Sequence, residues 1–174
     1  YNANSLSKIL GISHVGAQKI LKRLLGDGLL TDKKIGKSIT YKLRLEDDYA
    51  KKLIAFLLAD EANNFKRWKE EFKDLSESGR IIAIYGSAIK NYSQASDIDV
   101  VIVMDKSDIK EINNILKEKD AILPKKLHAI KMTYRDLLEN LEKKDKVIIN
   151  IIKNAIVLYG QDRYVEAIKN VASF

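Results

Sequence analysis

The 174-residue sequence contains no cysteine, which excludes disulfides, thiolate zinc sites and a cysteine nucleophile. Its two histidines, His14 and His128, lie far apart in the chain and lend no support to a histidine metal site. Long apolar runs are missing as well. The longest, Ile81–Tyr85 and Val100–Met104, have the length of strands and are too short to span a bilayer. No signal peptide is visible, so the expectation is a soluble cytoplasmic protein with no membrane partner. The chain starts at Tyr1 rather than Met, and native residues before it are expected. What is present is ordinary globular material, with 46% hydrophobic and 32% charged residues. That suffices for one medium domain or two small ones and excludes a disordered chain.

Acids are scarce at one end only. Residues 1–45 carry nine basic side chains (Lys8, Lys19, Lys22, Arg23, Lys33, Lys34, Lys37, Lys42 and Arg44) against two acids, Asp27 and Asp32. The other 129 residues carry 22 of each sign, so the whole formal charge of +7 belongs to the first segment. Lysine outnumbers arginine 25 to 6, but a general lysine bias would raise lysine everywhere and would not remove acids from one end. A basic module joined to a neutral one is expected, with a polyanion as partner of the basic part.

Within that module, Ser5 is placed to cap a short helix to about Leu10, which Gly11 breaks. Ser13 is placed to cap a second helix from about His14 to Leu25, with Val15, Ala17, Ile20, Leu21 and Leu24 as its apolar positions. Gly26 and Gly28 end it. Two strands are expected at Leu29–Lys34 and Ser38–Leu45, joined by Ile35-Gly36-Lys37. Helix, tight turn, helix and basic hairpin, with Ile12–Leu24 as the second helix and Asp27-Gly28-Leu29-Leu30 leading into the hairpin, resemble a winged helix-turn-helix. The family's first helix would then lie before Tyr1. The resemblance implies double-stranded DNA as partner. It places Ser13, His14, Gln18, Lys19, Lys22 and Arg23 of the second helix, and Lys33, Lys34 and Lys37 of the wing, at the DNA surface. RNA is the other polyanion to which such a basic surface is suited.

Residues 46–79 read as a helical connector. Glu46-Asp47-Asp48 suit a helix start, and Tyr49, Leu53, Phe56, Leu57, Phe65, Trp68, Phe72 and Leu75 recur at helical spacing with a break near Asn63-Asn64. This apolar row forms either a homodimer seam or a cover for the next domain's sheet.

The strand Arg80–Tyr85 runs into Gly86-Ser87, and Asp97-Ile98-Asp99 opens the strand that ends at Met104. Residues two apart in a strand face the same way, so Asp97 and Asp99 repel each other unless a divalent cation lies between them. Gly86 permits close backbone approach, and Ser87 offers a hydroxyl and free N–H groups to a phosphate. Strand, Gly-Ser, short helix and Asp-x-Asp on the next strand resemble the minimal nucleotidyltransferases of the DNA polymerase β superfamily. Ile151–Gly160 is similar to that group's closing segment. The resemblance implies Mg2+ or Mn2+ at Asp97 and Asp99, which are also the catalytic pair. It places a nucleoside triphosphate at Gly86, Ser87 and Lys90.

Three departures stand out. The strand Lys126–Thr133, where active members carry a third carboxylate, has no acid. His128 sits near that place, Asp136 lies just beyond the strand, and Asp105 ends the second strand, from where it could approach the site. The spacer from Ser87 to Asp97 has nine residues, and Asn91 occupies a position usual for glycine. The reading is thus an α+β chain of three parts. Residues 1–45 form a winged helix-turn-helix, residues 46–79 a helical connector, and residues 80–174 a nucleotidyltransferase-fold α/β domain with a short mixed sheet. The function expected is a DNA-binding transcriptional regulator with a metal- and nucleotide-binding domain of weak or no turnover. The alternative is an active transferase moving a nucleoside monophosphate to a protein, RNA or small-molecule hydroxyl. The family resemblance allows such a transferase to be the antitoxin of a small helical toxin partner.

Overall fold

Local hydrogen bonding sets the first elements. The computed structural model describes residues 1–172, so the last two residues of the expected 80–174 domain lie outside the described residues. Helix α1 (Ala3–Leu10) is capped by Asn2, not Ser5. Ser5 is the third helical residue, and its N–H donates to Asn2 Oδ1 while its hydroxyl accepts from the Asn2 N–H. This reciprocal pair satisfies two donors at once, which a Ser5 cap would not. Gly11 ends the helix in the left-handed conformation, φ 64°. Helix α2 (His14–Gly26) starts at Ser13, whose Oγ accepts from the Gly16 N–H at 3.0 Å. Strands β1 (Leu30–Ile35) and β2 (Ser38–Leu43) form an antiparallel hairpin closed by Gly36-Lys37. Each strand is slightly offset from expectation, because Leu29 and Leu45 are buried flanking residues outside the ladder. Tyr1 exchanges two backbone hydrogen bonds with Tyr41. Leu21, Leu30 and Tyr41 form the small core with Ala3, Leu6, Leu24 and Leu25 around them. Of the apolar positions expected for α2, Val15 and Ile20 are instead exposed, because the core-facing row is Ala17, Leu21 and Leu24.

The chain divides into two compact units, the first through Leu53 and the second from Ile54 onward. The division falls inside helix α3 (Asp48–Asn63). Helix α4 (Lys66–Glu71) follows the break at Asn64-Phe65, and a single 3-10 turn covers Lys73–Leu75. Trp68, Phe72 and Leu75 are buried against the sheet of the second unit. The apolar row expected as either a homodimer seam or a sheet cover is therefore split, since Trp68, Phe72 and Leu75 cover the sheet while Tyr49, Phe56 and Leu57 remain exposed.

The second unit is built on β3 (Ile81–Tyr85), β4 (Asp97–Met104), β5 (Lys126–Thr133) and β6 (Ile156–Tyr159), in the order β5-β4-β3-β6. β3 is antiparallel to both its neighbours, and β4 is parallel to β5, so the sheet is mixed. α5 (Ile109–Ile122) makes the crossover between the two parallel strands. α6 (Tyr134–Glu142), α7 (Lys146–Asn154) and α8 (Gln161–Ala172) complete the unit. Strand periodicity sorts the core into two layers. Ile82, Ile84, Ile98, Val100 and Ile102 pack with Trp68, Phe72, Ile112 and Leu116 on one face. Ile81, Ala83, Val101 and Val103 pack with Leu137, Leu141, Ile148, Ile151 and Tyr164 on the other. Among the described residues, no helix is long and apolar enough to cross a membrane.

Candidate functional site

The same alternation places the chemistry. Asp97 and Asp99 continue the face of Val101 and Val103, while Ile98 between them is fully buried on the opposite face. Antiparallel pairing sets Tyr85 beside Asp99, and parallel pairing sets His128 on its other side. Tyr85, Asp97, Asp99 and His128 thus meet at one end of the sheet. His128 Nδ1 lies 3.3 Å from Asp97 Oδ2 and 3.8 Å from Asp99 Oδ1. One potential ligand atom from each of the three falls within a 4.8 Å span.

Electrostatics mark the pair as under tension. Burial and then the neighbouring Asp97 charge raise the Asp99 carboxyl above its ordinary 3.8, and His128 partly offsets this. Burial, Asp99 and Asp97 likewise raise the Tyr85 phenol above 10.0. Two partly buried carboxylates at this separation suit a bound divalent cation, which would remove their repulsion. The donor set is not uniform, however. Asp97 and Asp99 fit magnesium or manganese, whereas the imidazole of His128 is a poor magnesium ligand.

Gly86 makes room for this arrangement. Its φ of 82° favours glycine, and a Cβ there would collide with Asp99 Oδ2 and stand 3.3 Å from Asp99 Cγ. Ser87 is exposed at the start of a 3-10 turn that ends at Ile89, and its carbonyl accepts from the Lys90 and Asn91 N–H groups. The short helix expected between Gly-Ser and Asp-x-Asp is only this turn. The rest of the spacer is held by Tyr92, whose ring meets Trp68 edge-on at 5.5 Å and lies 3.8 Å from the Arg67 guanidinium carbon. Lys90 joins Tyr85, Gly86 and Ile89 in a cleft closed by Asn150, Ile151 and Asn154 of α7.

Neither sequence-adjacent acid supplies the missing carboxylate. Asp105 follows the far end of β4, about 20 Å along the strand from Asp99, and contacts Arg163 at 3.8 Å. Asp136 is consumed by the cap of α6, where its carboxylate accepts from both the Thr133 N–H and hydroxyl. Tyr85, Asn150 and Asn154 were not evident as site residues from sequence. Parity along β3 could have found Tyr85, but the two asparagines depend on where α7 docks.

In the first unit, His14, Lys19, Lys22, Arg23, Lys33, Lys34 and Lys37 are all exposed, and Gln18 is half-buried. His14, Gln18 and Lys37 line one cleft with Asn2, Asn4 and Tyr41, so the second helix and the hairpin tip converge there. Lys19, Lys22, Arg23, Lys33 and Lys34 lie outside that cleft. The Ser13 hydroxyl already accepts the Gly16 N–H as helix cap, leaving its own proton to donate.

Comparison with known proteins adds one finding. The sequence model described as "Polymerase beta, Nucleotidyltransferase" matches residues 67–164, which span α4 to the start of α8. No curated protein and no solved structure is matched by this chain.

Proposed function

Because the chain belongs to the polymerase beta nucleotidyltransferase family, we propose that it is a DNA-binding regulator whose second unit binds a divalent cation and a nucleotide. The observation that carries this reading is the meeting of Asp97 and Asp99 at the sheet end that Gly86 leaves open. Asp97 and Asp99 hold the cation. Gly86 and Ser87 admit the phosphates, and Lys90 supplies a positive charge at the mouth of the cleft. When bound, the cation neutralises phosphate charge and polarises the phosphorus–oxygen bonds. Asn150 and Asn154 line the same cleft, and because the Asn154 amide nitrogen donates to the Asn150 carbonyl and Oδ1, it is the Asn150 Nδ2 donor and the Asn154 Oδ1 acceptor that are left for a base or ribose.

The first unit supports a winged-helix reading. α2 would enter a major groove, with His14, Gln18 and Lys19 toward base edges and Lys22 and Arg23 toward phosphates. Lys33, Lys34 and Lys37 of the hairpin would flank the backbone. The confinement of the net charge to this end of the chain favours a polyanion over a protein partner.

A second reading is nucleotidyl transfer to a hydroxyl acceptor, and the intact Asp97–Asp99 pair favours it. The absence of an acid on β5 weighs against it, because loss of a positioned base costs roughly 10²–10⁴-fold in rate. Both readings are tested on the full chain. Calorimetric titration with each nucleoside triphosphate, plus Mg2+ or Mn2+, is run beside Asp97→Asn and beside label transfer from the α-labelled nucleotides into cell extract. Cation- and Asp97-dependent nucleotide binding without a labelled product is the expected result. An Asp97-dependent labelled product establishes the transferase. Lack of any cation-dependent nucleotide binding overturns the proposed site.

A further inference from the structure

His128 stands where parallel pairing with Asp99 puts it, on the face that Asp97 and Asp99 share. Its Nδ1 is nearer to Asp97 than to Asp99, at 3.3 and 3.8 Å. Two ligands bonded to one ion at about 2.1 Å stand about 3.0 Å apart at a right angle and about 3.4 Å apart at a tetrahedral angle. The 3.3 Å separation from Asp97 falls between these two values, and the 3.8 Å separation from Asp99 is 0.4 Å beyond the tetrahedral one. The three ligand atoms need only a small inward turn of flexible side chains to close on a common centre.

Ligand chemistry then decides which cation. Magnesium holds oxygen ligands and gives up its waters reluctantly, whereas imidazole suits transition metals. We infer that His128 is a third metal ligand and that the site prefers a divalent transition metal of the manganese-to-zinc series over magnesium. This rests on the reading of Asp97 and Asp99 as cation ligands and extends it to the identity of the ion. The half-exposed imidazole, with 49% of its side-chain surface open, can turn toward the ion without unpacking the core. Its strand neighbours Leu127 and Ala129 pack on the opposite face and hold the backbone.

The test uses Mn2+ alone as probe on the full chain. Pulsed electron paramagnetic resonance of the Mn2+-loaded protein is expected to show coupling to an imidazole nitrogen, and His128→Asp is expected to abolish it. Calorimetry is expected to show the ratio of Mn2+ to Mg2+ affinity falling at least tenfold in His128→Asp, which restores an all-oxygen donor set. Mn2+ binding without nitrogen coupling in the parent protein, or an unchanged affinity ratio in the variant, overturns the inference about His128 alone. Mn2+ binding that survives both Asp97→Asn and Asp99→Asn overturns the underlying assignment of the carboxylate pair instead, as does the absence of any Mn2+ or Mg2+ binding.

Discussion

Asp99 sits in surroundings that oppose its own charge. Burial and Asp97 raise its folded pKa above the ordinary 3.8. A raised carboxyl favours folding most when protonated, below the unfolded value. That contribution is lost as pH rises through the raised folded value. At neutral pH, with EDTA present, the charged form therefore works against the fold. Asp99→Asn is expected to raise the urea midpoint of the metal-free protein at pH 7, and the advantage is expected to shrink as pH falls through the raised folded value and to be gone below the ordinary 3.8. Added cation should reverse the ranking. At a concentration 100-fold above its Kd it stabilises the parent by about 2.7 kcal/mol and the variant by far less. Equal midpoints at pH 7 in EDTA would show that the pair is not under tension. At this scale much of the site was legible in sequence, because Gly86, Asp97 and Asp99 are fixed by spacing along two strands. His128 could be located but not assigned, since its meeting with Asp97 follows from the register of β4 against β5, roughly thirty residues away.

Elements are joined in the second unit by buried cations with several partners. Arg80, just before β3, is 2% exposed, and its Nε donates to Asp108 Oδ2 at 3.1 Å. Its two terminal nitrogens donate to the two oxygens of Glu111 at 3.3 and 3.1 Å. This fork ties the start of β3 to the start of α5. Lys119 ties α5 to α4 in the same way, reaching Asp74 at 3.0 Å and the Glu71 carbonyl. Lysine keeps the charge of Arg80 but cannot make the paired contact. Arg80→Lys is expected to cost about 1–2 kcal/mol in urea unfolding at pH 7, the low end for charged hydrogen bonds because Glu111 is half-exposed and rehydrates. Asp108 carries a carboxyl lowered below 3.8, chiefly by its hydrogen bond from Arg80. Its contribution is present above the unfolded value and lost as pH falls through the lowered folded value. The difference between Arg80→Lys and parent should therefore narrow toward pH 3, and a constant difference would assign the effect to packing instead. None of this was visible in sequence. Strands β3 and β4 were read closely from their apolar runs, and β5 was placed at Lys126–Thr133, where the structure has it. Beside Glu77, which is three residues away from Arg80 and 2.9 Å from the guanidinium, the carboxylate partners 28 and 31 residues away are brought in only by the docking of α5. The cap of α1 was misplaced by three residues because Asn2 and Ser5 are both good caps, and only the reciprocal bond distinguishes them.

For the whole molecule the governing fact is the partition of charge, with all seven net positive charges in residues 1–45 and a balanced remainder. Binding to a duplex by such a chain releases condensed counterions, so log affinity should fall linearly with log salt, by about 0.9 for each phosphate neutralised. Lys19 and Lys37 are exposed on α2 and on the hairpin turn respectively, and neither has a salt-bridge partner among the described residues. Each is free to meet a phosphate. Fluorescence anisotropy of the full chain on a duplex of mixed sequence, from about 50 to 200 mM salt, is expected to give a slope that Lys19→Ala and Lys37→Ala each make shallower by about 1. Asp97→Asn should leave that slope unchanged, because it lies in residues 46–174, which carry no net charge to contribute. Tighter binding to an RNA duplex than to DNA would move the partner from one polyanion to the other. Affinity indifferent to salt and to both lysines would remove nucleic acid from the function and leave the cation and nucleotide site as the part of the chain with a ligand.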